Sequence, residues 1–142
     1  MAKSVKVLVV ANRTLGGAQL LDLLRDRAQA GGCQVHVLVP AAPSGGWTHT
    51  DDDDAGAARA RLATALERFS ALGCEVTGEI GDASPVAAVE DVLRREAFDE
   101  LVVSTLPPGP SRWLRADLVS RLSRVVDVPV THVVGSEEPA AT

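Results

Sequence analysis

The sequence has little that would suit a membrane, a nucleic acid or a disulfide scaffold. No apolar run approaches the roughly 18 residues that a membrane-spanning helix needs. Acidic residues outnumber basic ones, 19 against 14, for a net charge of −5, which disfavours nucleic acid because nucleic-acid-binding surfaces are usually basic. Two cysteines, Cys33 and Cys74, are too few for a disulfide-stapled fold. Residues 1–11 show no signal-peptide cleavage pattern, so we expect a cytoplasmic protein without membrane or nucleic-acid partners.

Several motifs that define enzyme classes are also missing. The chain lacks GxxxxGK[ST] and GxGxxG, which excludes a P-loop protein and disfavours a dinucleotide fold of that type. It lacks the GxSxG nucleophile elbow, a CxxC pair, and two histidines at helical spacing. No catalytic residue and no metal ligand is therefore predicted. Each cysteine opens a strand-like run, where a free cysteine is commonly a small buried hydrophobe.

What is present is enough for one globular domain. The chain has 142 residues, of which 46% are hydrophobic and 23% charged, the balance typical of a soluble protein with a single core. No composition shift or internal repeat divides it, so residues 1–142 are predicted to form one domain. Residues 135–142 are expected to be a frayed tail.

Continuous apolar runs alternate with helical patterns along the chain. The runs predict five strands, at 5–11, 33–39, 74–80, 100–104 and 130–134. Between them, apolar spacing and capping residues predict four helices. The first, second and fourth cover residues 18–28, 56–72 and 113–126, and the third begins at Pro85, after Ser84 as its N-cap. Apolar strands separated by helices indicate a doubly wound α/β fold with a parallel sheet covered on both faces.

The helical patterns also predict which side chains face the sheet. The inward positions are Leu20, Leu21, Leu24 and Ala28 in the first helix, Leu62, Leu66, Phe69 and Leu72 in the second, Val86, Val89, Val92 and Leu93 in the third, and Leu114, Leu118, Leu122 and Val125 in the fourth. His36 and His132 lie inside strands and are expected to be buried and hydrogen-bonded.

Ligands of doubly wound sheets bind beyond the carboxyl ends of the strands, so the loops at 11–17, 40–54, 81–84 and 105–112 matter most. In the last of these, Thr105, Ser111 and Arg112 can donate to a phosphate at a helix N-terminus. The alternative is that Ser111 only caps the helix, as many helices require.

Two other loops carry weaker signals. After the first strand, Asn12 and Thr14 can hydrogen-bond a base or sugar, and Gly16-Gly17 allows close approach to the backbone; a plain turn is the alternative. Asp51 to Asp54 are four consecutive carboxylates. They can hold a hard cation, but the favoured interpretation is acidic residues that stabilise a helix start.

Three segments together resemble the universal stress protein family over about Val5 to Val134. They are KVLVVANRT, IGDASPVAAVEDVLRREAFDELVVST and SRWLRADLVSRLSRVVDVPVTHVV, of which the G-D-x-x-P segment running into a helix is the most specific. The resemblance implies an adenine nucleotide alpha hydrolase-like fold with strand order 3-2-1-4-5 and a cleft between strands one and four. It also implies homodimers, paired here through residues 130–134, and ATP or AMP as the ligand of many members.

The chain departs from the family's ATP-binding pattern. Asn12 stands where such members carry an aspartate, and Gly109 alone clearly survives from the glycine motif that follows strand four. Pro107 and Pro108 supply no N–H to a phosphate, and Asp117 stands near the expected phosphate end, where its charge is repulsive. The ligand-binding residues expected are Asn12, Thr14, Val39, Thr105, Gly109, Ser111 and Arg112.

These observations predict a universal-stress-type regulatory protein that acts by binding a small ligand, an adenine nucleotide weakly, and not by catalysis. No firm cofactor is implied. The alternative is a ligand-free dimeric interaction module like the non-ATP-binding branch of the family. A small nucleotide hydrolase ranks lowest because no general base or nucleophile is arranged for it.

Overall fold

The computed structural model describes residues 5–11, 18–40, 51–81, 85–105 and 112–134. Five strands form one sheet in the order β3-β2-β1-β4-β5, and all four neighbouring pairs are parallel. The predicted strand order and the doubly wound α/β class are therefore confirmed.

The strands and helices alternate strictly. The elements in chain order are β1 (Val5–Val10), α1 (Ala18–Gln29), β2 (Cys33–Pro40), α2 (Asp51–Ala71), β3 (Glu75–Gly81), α3 (Pro85–Arg95), β4 (Glu100–Thr105), α4 (Arg112–Val125) and β5 (Val130–Val134). Every predicted strand lies within one residue of its observed bounds.

Two hydrophobic cores cover the two faces of the sheet. Helices α1 and α2 pack on one face through residues such as Leu20, Leu24 and Phe69, which are fully buried. Helices α3 and α4 pack on the other face, through Val89 and Leu122 among others. From Val7 to Val10, alternate residues of β1 point into opposite cores, which is why this part of the strand is apolar on both faces.

Glycines end the two helices of the first face. Gly32 has φ of 92° and Gly73 has φ of 96°, a left-handed conformation that residues with a Cβ rarely adopt. The N–H of Gly32 donates to the carbonyl oxygen of Ala28 at 2.9 Å. These residues satisfy the helix ends as a glycine C-cap does, as the sequence predicts.

Two glycines of β3 allow helices to approach the sheet closely. A Cβ on Gly78 would lie 2.7 Å from the end of the Leu62 side chain in α2. A Cβ on Gly81 would lie 2.8 Å from Leu38 Cδ1 and 3.0 Å from the Cβ of Ala88 in α3. The glycine of the G-D-x-x-P segment thus has a packing role at the start of the β3–α3 connection.

The second helix begins earlier than the sequence pattern predicts. Residues 51–54 belong to α2, so the prediction that they end a loop is wrong. Their position in the first turn agrees with the helix-start interpretation, because carboxylates are favoured at the positive end of the helix dipole. The inward face of α2 is as predicted, with Phe69 buried and Leu62, Leu66 and Leu72 packed against the same core.

Two burial predictions in the last third of the chain are wrong. Val125 is 44% exposed, whereas Val126 is buried. The covered side of α4 runs through Val119, Leu122 and Val126, a spacing of three and then four residues that is as helical as the one predicted. His132 is exposed, since β5 is an edge strand.

Candidate functional site

The carboxyl edge of the sheet has a topological switch point between β1 and β4. These strands are neighbours, with Val10 opposite Val103. The chain leaves β1 for α1 on one face and leaves β4 for α4 on the other. Connections that diverge in this way open a crevice at the strand ends, where ligands of doubly wound sheets bind.

Three of the predicted ligand-binding residues lie in elements that end or begin at this edge. Thr105 is the last residue of β4, opposite Val134 of β5. Arg112 is the first residue of α4. Val39 is the second-to-last residue of β2, and its side chain is fully buried in the core under α1 and α2. Asn12, Thr14, Gly109 and Ser111 lie outside the described residues.

The amino edge of the sheet carries an ion pair that the sequence did not reveal. Arg27, near the end of α1, donates two hydrogen bonds of 2.9 Å each to the carboxylate of Glu100, the first residue of β4. Thr131 of β5 donates a third, at 2.6 Å. The hydrogen bonds from Arg27 are the main reason that the pKa of Glu100 lies below its ordinary value, although burial opposes this.

A second set of polar contacts lies at the same edge of the sheet, between β1 and the segment that precedes β4. The backbone N–H of Lys6 donates to the Asp99 carboxylate at 2.9 Å, and the Asp99 N–H returns a bond to the Lys6 carbonyl at 2.8 Å. The ammonium of Lys6 pairs with Glu96 at 2.6 Å and lies 5.0 Å from the centre of the Phe98 ring. These contacts fix the segment between α3 and β4 onto β1.

Across the middle of the β2–β3 pair, His36 joins a hydroxyl to a carboxylate. Its Nδ1 lies 2.7 Å from Thr77 Oγ1, and its Nε2 lies 2.8 Å from Glu79 Oε2. Arg95 of α3 donates to both oxygens of Glu79, at 2.7 and 2.9 Å. Burial alone would raise the pKa of Glu79, but the hydrogen bonds from Arg95 and His36 together hold that pKa below its ordinary value.

A hydroxyl, an imidazole and a carboxylate in hydrogen-bonded series is the order found in nucleophilic hydrolases. Here the carboxylate is shared with Arg95, so the series also ties the end of α3 to the edge strand β3. We therefore interpret it as a structural network. The expectation that His36 is hydrogen-bonded and largely buried is confirmed, since only 12% of its side chain is exposed.

The two cysteines meet at the amino ends of β2 and β3. Their Sγ atoms are 2.7 Å apart, and both residues are buried as free thiols. Burial is the main cause that raises the pKa of the Cys33 thiol to about 12. Among the described residues, no three histidine, cysteine or acidic side chains cluster as metal ligands would, and no helix there is long and apolar enough to span a bilayer.

The architecture that emerges is a doubly wound α/β fold with the Arg27–Glu100 ion pair at the amino edge of the sheet and the topological switch point at its carboxyl edge. No family model matches the sequence, and no curated protein is significantly similar to it. Solved structures nevertheless share this architecture over nearly the whole chain.

Three of those structures are universal stress proteins. UspA from Lactobacillus plantarum is 17% identical, with a TM-score of 0.71 over 94% of this chain and 99% of its own. The universal stress protein from Archaeoglobus fulgidus, solved in complex with dAMP, is 17% identical, with a TM-score of 0.66 over 94% of this chain and 99% of its own. A universal stress protein in complex with cAMP is 19% identical, with a TM-score of 0.63 over 95% of this chain and 100% of its own. The chain therefore has the universal stress protein fold, as its sequence resemblance implies.

Proposed function

We propose that this chain is a universal-stress-type regulatory protein of the cytoplasm that binds a small anionic ligand in the crevice between β1 and β4. The observation that carries the proposal is the strand order β3-β2-β1-β4-β5, whose reversal falls between β1 and β4. Proteins of the same fold have been solved in complex with dAMP and with cAMP, which favours an adenine nucleotide as the class of ligand.

The predicted contacts come from the two loops that flank the crevice. Arg112, the first residue of α4, and the N-terminus of that helix are predicted to attract an anion. Thr105, Gly109 and Ser111 are the further binding residues that the sequence predicts. Asn12 and Thr14, which follow β1 in the sequence, are the predicted contacts to a base or sugar. Val39, whose side chain is buried in the core, could contribute only its backbone at the end of β2.

ATP itself is expected to bind weakly, with a dissociation constant no tighter than about 0.1 mM. Pro107 and Pro108 replace positions that could offer N–H groups to phosphate oxygens. Asp117, in the second turn of α4, adds a negative charge near the expected phosphate end. Asn12 replaces the aspartate of the ATP-binding pattern.

Calorimetric titration with ATP and AMP tests this affinity directly, and a mass spectrum of small molecules released on denaturation identifies any ligand that co-purifies. A micromolar dissociation constant for ATP would show that the missing glycines and the two prolines matter less than proposed.

Arg112→Ala tests whether the ligand occupies this crevice. Loss of a charged hydrogen bond should weaken binding of the nucleotide or released ligand by about 1.5–3 kcal/mol. Arg124→Ala is the matched control, because Arg124 lies in the last turn of the same helix. Equal affinities of the two variants would place the ligand elsewhere.

The converse experiment restores the pattern that the chain lacks. Asp117→Ser combined with Pro108→Gly removes a repulsive charge and returns one N–H, so ATP affinity should rise above that of the parent chain. An unchanged affinity would mean that other departures, such as Asn12, prevent ATP binding.

The second candidate is a ligand-free dimeric interaction module. It is favoured by β5, an edge strand of the sheet whose sequence VTHVV carries no lysine or acidic residue to block strand addition. A symmetric dimer through this edge would cover it. Light scattering should then give about twice the 14.8 kDa mass of the chain.

His132→Lys tests that edge, because His132 is exposed at its centre. A lysine there should shift the dimer towards monomer. Glu75→Lys, exposed on the opposite edge strand β3, should leave the dimer intact. A parent chain that is monomeric at high concentration would exclude this dimer. The nucleotide-binding proposal does not depend on the dimer and would be tested separately by calorimetry.

A further inference from the structure

We propose that Cys33 and Cys74 form an oxidative modification site, at which a hydroperoxide converts the two thiols into an intramolecular disulfide. The proposal is independent of the ligand crevice, since the two residues lie at the opposite edge of the sheet.

The register of the sheet brings the two residues directly opposite one another. Gln34 pairs with Glu75 in the parallel β2–β3 ladder, so one step back along both strands sets Cys33 against Cys74. Neighbouring strands lie about 4.8 Å apart, within the range of about 4.4–6.8 Å between Cα atoms that a disulfide spans. The side chains share one face, as the 2.7 Å contact between their Sγ atoms shows.

The buried, apolar surroundings of the two thiols favour disulfide formation over metal binding. Cys33 is 3% exposed and Cys74 is 6% exposed, within the apolar core under α1 and α2. A metal requires thiolates, and an apolar environment disfavours that charge at Cys33, whose pKa burial raises. A disulfide is uncharged and needs no polar partner, so this core accommodates the oxidised pair.

The chemistry balances with hydrogen peroxide as the oxidant. One thiol attacks the peroxide as its thiolate, which gives a sulfenic acid and one water. The second sulfur then attacks the sulfenic sulfur, the S–S bond forms, and hydroxide leaves and takes the remaining proton as a second water. Two electrons pass from the two sulfurs to the peroxide. Because burial keeps the thiolate scarce, the reaction should be slow in the native state.

The disulfide would tie the edge strand β3 to β2 where both begin. It would close a loop of 41 residues that contains β2 and the whole of α2. Constraining that loop in the unfolded chain stabilises the fold, so the oxidised protein should melt higher than the reduced one.

The test is incubation of the reduced, folded full chain with millimolar hydrogen peroxide, followed by blocking of free thiols, denaturation and peptide mapping. Trypsin separates the two cysteines, since Arg59, Arg61 and Arg68 lie between them. The expected product is one cross-linked peptide pair, lighter by two hydrogens, in a monomeric chain. The melting temperature should rise by about 5–10 °C and return on reduction.

Cys33→Ala and Cys74→Ala are the matched controls, and neither should show the cross-link or the rise in melting temperature. Oxidation of Met1 adds oxygen to a different peptide and does not obscure the result. Recovery of two unmodified thiols after prolonged peroxide treatment would overturn the proposal. So would sulfinic or sulfonic acid on separate cysteines, or a disulfide between two chains.

Discussion

The two edges of the sheet differ in how their polar groups are used. At the amino edge, the carboxylate of Glu100 is bound by Arg27 and Thr131, and Lys6 is paired with residues beside β4. At the carboxyl edge, β1 and β4 send their chains to opposite faces. Charges that are satisfied inside the fold contribute stability, whereas the diverging strand ends of a doubly wound sheet are where a ligand is expected to bind. Substitutions at the amino edge should therefore affect unfolding more than binding.

Glu100→Gln should have the largest effect. The substitution removes the charge that Arg27 faces, in a pair whose carboxylate side chain is only 11% exposed. Leaving one member of such a pair uncompensated is costly, and we expect a loss of about 2–3 kcal/mol in the free energy of unfolding, measured by urea denaturation.

Glu96→Gln is the matched control for that substitution. Glu96 also accepts from a basic residue at the amino edge, but its side chain is 45% exposed. Exposed ion pairs contribute little, so this variant should lose much less stability than Glu100→Gln. Equal losses in the two variants would contradict the view that the buried pair dominates this edge.

Gly81→Ala should have an intermediate effect, at the carboxyl end of β3. The added methyl group would meet the Cβ of Ala88 at 3.0 Å, an atom that cannot rotate away, so α3 must shift. We expect a loss of about 1–2 kcal/mol by thermal or urea unfolding. Gly78→Ala should cost less, because its contacts include the movable ends of Leu62 and Leu66. The reverse order would mean that α2 is held more rigidly than α3.

Glu79→Gln should have the smallest effect at neutral pH, below about 1 kcal/mol. The pKa of Glu79 is lowered in the folded chain, so its carboxylate contributes stability above the ordinary pKa of about 4.5, and that contribution is lost as the pH falls through the folded value. The difference in unfolding free energy between the parent and the variant should therefore shrink between pH 6 and about pH 3. A constant difference would show that the role of Glu79 is independent of its charge.

The fold was largely predictable because its signals are local. Apolar runs such as VKVLVV, the glycines after α1 and α2, and Pro85 at the start of α3 each mark an element through nearby residues. The errors also have local causes. At the end of α4, Val125 and Val126 both fit a helical apolar spacing, and only the packing against β4 and β5 decides between them.

The polar networks were not predictable from local signals. Arg27 and Glu100 are 73 residues apart, and His36 and Thr77 are 41 apart, so their meeting depends on strand order and register. Among the described residues, the contact between Cys33 and Cys74 is the one long-range contact that the sequence could have indicated. Cys33 and Cys74 each open a strand, and the strand order implied by the family resemblance places those two strands side by side. For the ligand crevice, the sequence supplies candidates such as Asn12 and Arg112, which stay predictions.

The central position of β1 also constrains the order in which the chain can fold during synthesis. The first strand pairs with β2 through residues 33–38, but its other side pairs with β4 through residues 100–103. A ribosome must therefore deliver the chain through residue 103 of 142, about three quarters of the protein, before the middle of the sheet can close. Until then, the open side of β1 is an apolar edge able to pair with other nascent chains. Slow translation before residue 100 would lengthen that exposure and increase aggregation, whereas a chaperone that binds the first strand would reduce it.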